Sequence, residues 1–236
     1  MSVRRVGTWK DAVRRAIDAT VASAMPGGAG LFAILARVDG YLYPHEALFL
    51  YRVARFLPGD EPIVEIGSYR GRSTLCLARG IRDRGSGKVV SVDPHVYGTE
   101  GELRENLAHF GAWPVVDVLP RRSTEVATSW SAPARAVFVD GNHEEAEVRA
   151  DACAWIPHLK PGGFLLMHDA TALSPFPGPR RVAAEIYADE DRFDAVGTIG
   201  TIAWGRVRGG AESWLPPKKG AARVDGILRR VKGSSP

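Results

Sequence analysis

Five short runs of β-branched and apolar residues recur at regular intervals: IVEI (63–66), VVSVD (89–93), VVDVL (115–119), AVFVD (136–140) and FLLMHD (164–169). Between them lie stretches with helical spacing, near Ser73–Asp83, Glu100–Phe110, Thr124–Ser129 and Glu144–Leu159. Strands this continuously apolar must be covered on both faces, which alternating helices achieve only over a parallel sheet. The chain is therefore expected to fold as α/β, a Rossmann-like doubly wound, mostly parallel sheet. FDAVGTI (193–199) and IAWGRVR (202–208), joined by Gly200-Thr201, read as an antiparallel C-terminal hairpin that brings the sheet to seven strands.

Ahead of this pattern, residues 1–60 read as an added N-terminal helical extension. Trp9, Val13, Ile17 and Val21 repeat at four-residue spacing, Pro26-Gly27-Gly28 breaks the pattern, and a second helix runs over His45–Phe56 behind Pro44. Residues 61–208 form the expected catalytic domain and 209–236 a basic, partly flexible tail. The net charge of +4 is concentrated at that end: from Gly205 on, eight Arg/Lys face two acids, so this segment carries +6 and the preceding residues −2. A body without excess positive charge argues against a nucleic-acid partner. Cys76 and Cys153 lie in apolar stretches without paired spacing, the pattern of buried free thiols rather than disulfides or a zinc site. No apolar run reaches the roughly 18 residues of a membrane span, and a soluble, cytoplasmic protein is expected.

The first strand runs into Glu65-Ile-Gly-Ser-Tyr-Arg-Gly-Arg-Ser73, with Gly67 and Gly71 spaced G-x-x-x-G. The dinucleotide fingerprint G-x-G-x-x-G needs its middle glycine for close approach to a phosphate, and here Tyr69 stands at that position. A nicotinamide dehydrogenase is disfavoured, whereas a ligand with an amino-acid moiety and no pyrophosphate fits. Glu65 can take its ammonium group. Asp93, at the tip of the second strand, can grip a ribose diol through two hydrogen bonds.

Asp140 and the His168-Asp169 pair end two strands that the topology makes neighbours, about 4.8 Å apart. Carboxylates that close repel unless a cation or proton lies between them. Their oxygens, with His168 as a third ligand, suit Mg²⁺ or another hard divalent cation. His143, three residues after Asp140 in D-G-N-H, is the candidate general base: metal coordination lowers the pKa of an alcohol, and a neutral imidazole can then take its proton.

The stretches VEIGSYRGRSTLCLARG, SVDPH and especially VFVDGNHEEAEVRADACAWIPHLKPGGFLLMHD resemble class I S-adenosylmethionine-dependent methyltransferases, in particular the metal-dependent group acting on sugar and natural-product hydroxyls, such as the macrolide-sugar and methylmannose or rhamnose O-methyltransferases. The likeness runs from about Tyr43 to Trp204. It implies a metal ligand and a base in D-x-x-H joined to H-D. It also implies S-adenosylmethionine held by Glu65, Gly67, Ser73 and Asp93, with Tyr69, Gly71 and Asp140 beside them and Ser123 near the adenine, where the family often has Asp-Ser and this chain has Arg122-Ser123.

Acceptor selection is expected from the N-terminal helices and the Thr171–Arg181 loop, with Tyr69, Tyr97 and Trp204 as walls or as core. The implied partner is a small-molecule or oligosaccharide acceptor, and a homodimer is the commonest assembly for such a chain. The competing readings are a metal-free or catechol-type O-methyltransferase, an RNA methyltransferase using the basic tail, and a non-catalytic binding module. The RNA reading lacks the N/D-P-P-Y/F motif used on base amines, since Asp-Pro occurs only at Asp93-Pro94.

Overall fold

The ends of the central strands lie level with one another. Ile66 of β1 (Ile63–Ile66) is in register with Val92 of β2 (Val89–Val92) and Val139 of β4 (Ala134–Val139), Val139 with Met167 of β5 (Leu159–Met167), and Val92 with Leu119 of β3 (Val116–Leu119). The structure is a computed structural model and describes residues 28–209. The helix expected over Trp9–Val21 and the tail beyond Gly209 lie outside the described residues.

The sheet order is β3-β2-β1-β4-β5-β7-β6, with β6 (Phe193–Ile199) and β7 (Ile202–Val207) forming the expected hairpin. β7 inserts beside β5 and runs antiparallel to it. Strand order reverses between β1 and β4, the point where an open α/β sheet forms its ligand crevice.

The period of two along each strand separates two cores. Ala136, Phe138, Phe164 and Leu166 face one, together with Leu31, Leu50 and Leu75. Val137, Val139, Leu165 and Met167 face the other, together with Val148, Trp155 and Val182. On the first face lie α1 (Gly28–Arg37), α2 (Pro44–Phe56) and α3 (Arg72–Arg84), and α4 (Glu100–His109) adds Leu103 and Leu107. α5 (Ser123–Thr128), α6 (Glu145–Trp155) and α7 (Pro177–Ile186) contribute to the second.

Three local expectations change. Residues 28–37, read only as following a break, form α1, because Leu31, Ile34, Leu35 and Val38 recur at i, i+3, i+4 and i+7 behind the glycines. β5 begins at Leu159 rather than Phe164, since Pro161-Gly162-Gly163 forms an irregularity opposite Ala134–Ala136 instead of a turn. Cys76 is buried as expected, but Cys153 is exposed on α6, whose inward stripe is Val148, Ala152 and Trp155. No described helix is long and apolar enough to cross a membrane.

Candidate active site

The backbone ladder continues one residue beyond each strand, which fixes the first residue of each rim turn. Gly67 N–H donates to Val92 C=O (2.9 Å), Asp140 N–H to Ile66 C=O (2.8 Å) and His168 N–H to Val139 C=O (2.9 Å). Gly67 has φ +85°, and a Cβ there would lie 2.2 Å from the Asp140 carbonyl oxygen. The β1 turn and the β4 tip therefore meet main chain to main chain, leaving no room for any other residue. Among the described residues, three non-glycine positions have left-handed backbone, Tyr69 (φ 48°), His95 (φ 50°) and Asp169 (φ 53°), each just past the tip of a different strand. Such conformations cost about 1–3 kcal/mol and cluster where geometry serves a ligand.

Glu65 is fully buried on β1. The Thr74 hydroxyl donates to its Oε2, Ser73 also faces the carboxyl, and Oε1 has no protein partner. Burial, reinforced by the negative charges of Asp140 and Asp93, pushes the Glu65 carboxyl up to about 8. The Ser68 hydroxyl in the adjoining turn is likewise buried and unpaired. Two orphaned polar atoms in one crevice call for a polar ligand. Gly71, at φ +90°, caps α3 and packs on Leu103.

Asp93 stands at the expected tip of β2, but its carboxylate is largely occupied. Oδ2 accepts the Ser68 and Tyr69 N–H groups, both at 2.9 Å, and Oδ1 accepts the His95 N–H at 2.7 Å. A carboxylate offers about four lone-pair sites, so one remains for a hydroxyl instead of the two-bond grip on a diol. Asp93 thus pins the β1 and β2 turns together. The His95 ring is buried, with Nδ1 3.1 Å from Thr99 Oγ1.

On the other side of the switch point, Asp140, His143 and Asp169 bring one ligand atom each to within 4.8 Å of one another. His143 Nε2 lies 3.0 Å from Asp169 Oδ2. An ionised carboxylate can only accept, so Nε2 is the donor in this contact and Nδ1 is the ring nitrogen left outside it. Phe176, at the start of α7, stacks on the His143 ring with centroids 3.9 Å apart and planes 6° apart.

His168 does not join this triangle from the side its neighbours use. Its ring is buried beneath them, with Nδ1 3.0 Å from Asp140 Oδ1 and 3.3 Å from Asp169 Oδ2, and Nε2 3.5 Å from Glu46 Oε2. The strand alternation accounts for this: Met167 faces one core, so His168 faces the other, toward α2, and the left-handed turn at Asp169 brings that carboxylate back to the rim. Neither ring nitrogen makes a well-directed hydrogen bond, so these contacts are ionic. Burial opposes a charge on His168, but the three carboxylates outweigh it and raise its pKa far above the ordinary histidine value, keeping the ring an imidazolium. Burial also acts to raise Asp169, yet the two facing imidazoles hold it well below the usual carboxylate range.

Ser123 is occupied by a residue the sequence reading passed over: its hydroxyl donates to Asp151 of α6. Glu46 and Thr201 were also missed. Glu46 follows Pro44 at capping-box spacing, the one signal that marks it, but nothing in the sequence pairs it with residue 201. Trp204 is a core residue packed on Phe164 at 5.7 Å, whereas Tyr97 is 84% exposed. His109 and His158 pack on Phe110 and Trp155.

Residues 64–170, the segment that carries this geometry, match the family model described as a methyltransferase domain. The match spans 107 of the chain's 236 residues. Solved structures share its fold at low identity. An O-methyltransferase from Bacillus cereus in complex with SAH has 20% identity and a TM-score of 0.65, covering 83% of this chain and 99% of that one. An O-methyltransferase from Streptomyces achromogenes involved in tomaymycin synthesis, in complex with SAM, has 20% identity and a TM-score of 0.57, covering 81% and 90%. An rRNA methylase from Streptococcus thermophilus has 14% identity and a TM-score of 0.54, covering 72% and 100%. The methyltransferase fold thus carries acceptors of more than one class, and the acceptor must be argued from the site.

Proposed function

We propose that the protein is an S-adenosylmethionine-dependent O-methyltransferase that uses Mg²⁺ or another divalent cation and methylates a hydroxyl of a saccharide or glycosylated metabolite. The observation that carries the reading is the Asp140–His143–Asp169 triangle, across the switch point from a buried carboxyl with a vacant oxygen. Glu65 supplies a negative site for the cofactor's ammonium group, and Asp93 has one lone pair left for a ribose hydroxyl. The cofactors in the Bacillus and Streptomyces structures support the same assignment.

The carboxylates of Asp140 and Asp169 are oxygen donors that would suit a hard divalent ion such as Mg²⁺ or Mn²⁺, with His143 beside them left free as the base. When bound, the ion lowers the pKa of the acceptor hydroxyl and helps orient its oxygen. The protein's own contribution is the proton. His143 takes it on Nδ1 while Asp169, at Nε2, stabilises the resulting imidazolium, and Phe176 holds the ring plane. Because the sulfonium is already an activated donor, alignment provides most of the acceleration. A saccharide is favoured by the resemblance in the D-G-N-H and H-D motifs, and by the exposed rings of Tyr43 and Tyr97 on the same rim, which suit the apolar faces of a sugar.

A metal-free mechanism is the second reading, and one observation favours it: His168 Nδ1 lies 3.0 Å from Asp140 Oδ1 and 3.3 Å from Asp169 Oδ2, so the ring can offset part of the charge of the carboxylate pair without an ion. Methyl transfer from labelled S-adenosylmethionine to a saccharide panel, with Mg²⁺ and with chelator, separates the two. The ion-dependent reading expects turnover only with the ion, and its loss in Asp140→Ala and Asp169→Ala with cofactor binding retained. Undiminished turnover in chelator selects the metal-free mechanism, and failure to methylate any saccharide rejects that acceptor class.

A further inference from the structure

We infer that Asp151 of α6 selects the cofactor's base: its free carboxylate oxygen accepts the exocyclic amine of adenine, so that the site tells adenine from a purine with an oxygen at that position. This rests on the S-adenosylmethionine reading above. With the cofactor's ammonium group at Glu65 on β1 and its ribose at Asp93 on β2, the base continues toward β3, whose rim begins two strand spacings, about 10 Å, from β1. On the first face that direction is closed, because α4 packs onto the β1 turn. A Cβ at Gly71 would stand 2.6 Å from Leu103, Asn106 donates to the Arg70 carbonyl at 2.9 Å, and Arg70 pairs with Glu102 at 2.8 Å. On the second face α5 begins at Ser123 and the β4 turn passes through Gly141. A Cβ at Gly141 would meet Asp151 Oδ2 at 3.4 Å and Ile66 at 3.7 Å, both ordinary contact distances, so this side of the rim has room.

Asp151 stands between these two elements. Its Oδ1 accepts the Ser123 hydroxyl, which ties the carboxyl to the start of α5, and its Oδ2 faces Gly141 and the end of β1. Among the described residues no donor reaches Oδ2, and no cation pairs with the carboxylate. The surface ion pairs of α6 run instead through Glu145 and Arg149 to Arg181 and Glu185. The side chain is half-buried, and burial, with Glu147 adding its charge, raises the Asp151 carboxyl above its ordinary value against the Ser123 hydrogen bond. What the charged form lacks is a second donor. The 6-amino group of adenine is such a donor, neutral and at the edge of a flat ring. Hypoxanthine places a carbonyl oxygen at the same position, and two acceptors that face each other repel.

The test is calorimetric titration of S-adenosylhomocysteine and, separately, S-inosylhomocysteine into the full chain in chelator, comparing wild type with Asp151→Asn and Asp151→Ala. The two ligands differ only at the six-position edge of the base. Wild type should bind the adenine ligand about 10–100-fold more tightly, the range for a hydrogen bond to a charged group. Asp151→Asn keeps the shape, removes a charge that burial already disfavours, and can hold its oxygen at Ser123 while turning N–H toward the base. Its preference for adenine should collapse or invert, with the hypoxanthine ligand gaining. Asp151→Ala offers neither donor nor acceptor and should bring the two affinities within about threefold of each other. A structural role alone would lower both affinities together and leave their ratio unchanged. A wild-type ratio near one, or the wild-type ratio retained in Asp151→Asn, overturns the assignment while leaving the cofactor reading standing. Failure of wild type to bind either ligand overturns the cofactor reading itself, and the role of Asp151 with it.

Discussion

Glu65 makes a quantitative prediction, because a carboxyl that is fully buried, with one oxygen unpaired and its pKa near 8, is neutral in the ligand-free protein at pH 7. An ammonium group requires the carboxylate, so cofactor binding at pH 7 must release a proton. One pKa unit corresponds to about 1.4 kcal/mol. Ionising Glu65 therefore costs about 1.4 kcal/mol at pH 7 and about 2.7 kcal/mol at pH 6, and the cost vanishes above about pH 9. The dissociation constant of S-adenosylhomocysteine, measured calorimetrically in chelator, should weaken about tenfold from pH 7 to pH 6 and level off on the alkaline side. Titrations at pH 7 in buffers of different ionisation enthalpy should show close to one proton released per ligand. Glu65→Gln keeps a hydrogen-bond acceptor but cannot titrate, so any slope it shares with wild type belongs to the ligand. The sign for stability is the reverse of the usual carboxylate case: between about pH 4.5 and 8 the folded protein holds a proton that the unfolded chain has lost, so the ligand-free fold weakens as pH rises through that window. A pH-independent affinity between 6 and 8, or an identical slope in Glu65→Gln, would refute the assignment of Glu65 to the ammonium group.

Gly67→Ala should destabilise the fold by at least about 2 kcal/mol, since it adds left-handed strain to a Cβ overlap with the Asp140 carbonyl at 2.2 Å; unchanged urea midpoint and cofactor affinity would mean the two turns can separate freely. His143→Ala should lower turnover about 10²- to 10⁴-fold without loss of S-adenosylhomocysteine binding, and a normal rate would assign proton removal to another group. Phe176→Ala removes the ring stacked on His143 and should lower kcat by up to about 10²-fold with KM for the methyl donor little changed. A matching loss of donor affinity would place Phe176 in the cofactor pocket instead.

The parallel sheet, its hairpin and the rim positions of Glu65, Asp93, Asp140, His143, His168 and Asp169 were legible because they depend on local signals: short apolar runs with an acid or a histidine in them or just after them. A strand that ends in Asp displays that Asp at the carboxyl edge whatever the rest of the chain does. Less legible was everything that depends on direction or partnership. The choice between His143 and His168 as the imidazole of the triangle turns on which face each side chain leaves, and Asp169 reverses the simple alternation by adopting φ 53°. The pairing of Glu46 with Thr201 spans 155 residues. Asp93 looked like a free ligand because its type and position fit a ribose, but sequence does not reveal that three backbone N–H groups converge on it.

These hidden partnerships share a physical origin. An acid at a strand tip has two outlets, the ligand and the orphan N–H groups of the neighbouring turns, and the turns are always present. At Asp93 the turns take three of about four lone-pair sites, which makes it a structural clasp with a residual binding role. At Glu65 they take almost none: two side-chain hydroxyls face the carboxyl and one oxygen has no partner. The cofactor's charge should therefore be felt chiefly at Glu65, even though Asp93 is the more accessible residue. Asp93→Asn and Glu65→Gln ought to differ accordingly. The first should loosen the β1 and β2 turns and lower thermal stability along with affinity. The second should lower affinity while stabilising the ligand-free fold at pH 8, where wild type must either ionise a buried group or hold its proton. If Glu65→Gln proves the less stable of the two at that pH, the buried carboxyl is satisfied in a way that its vacant oxygen does not indicate.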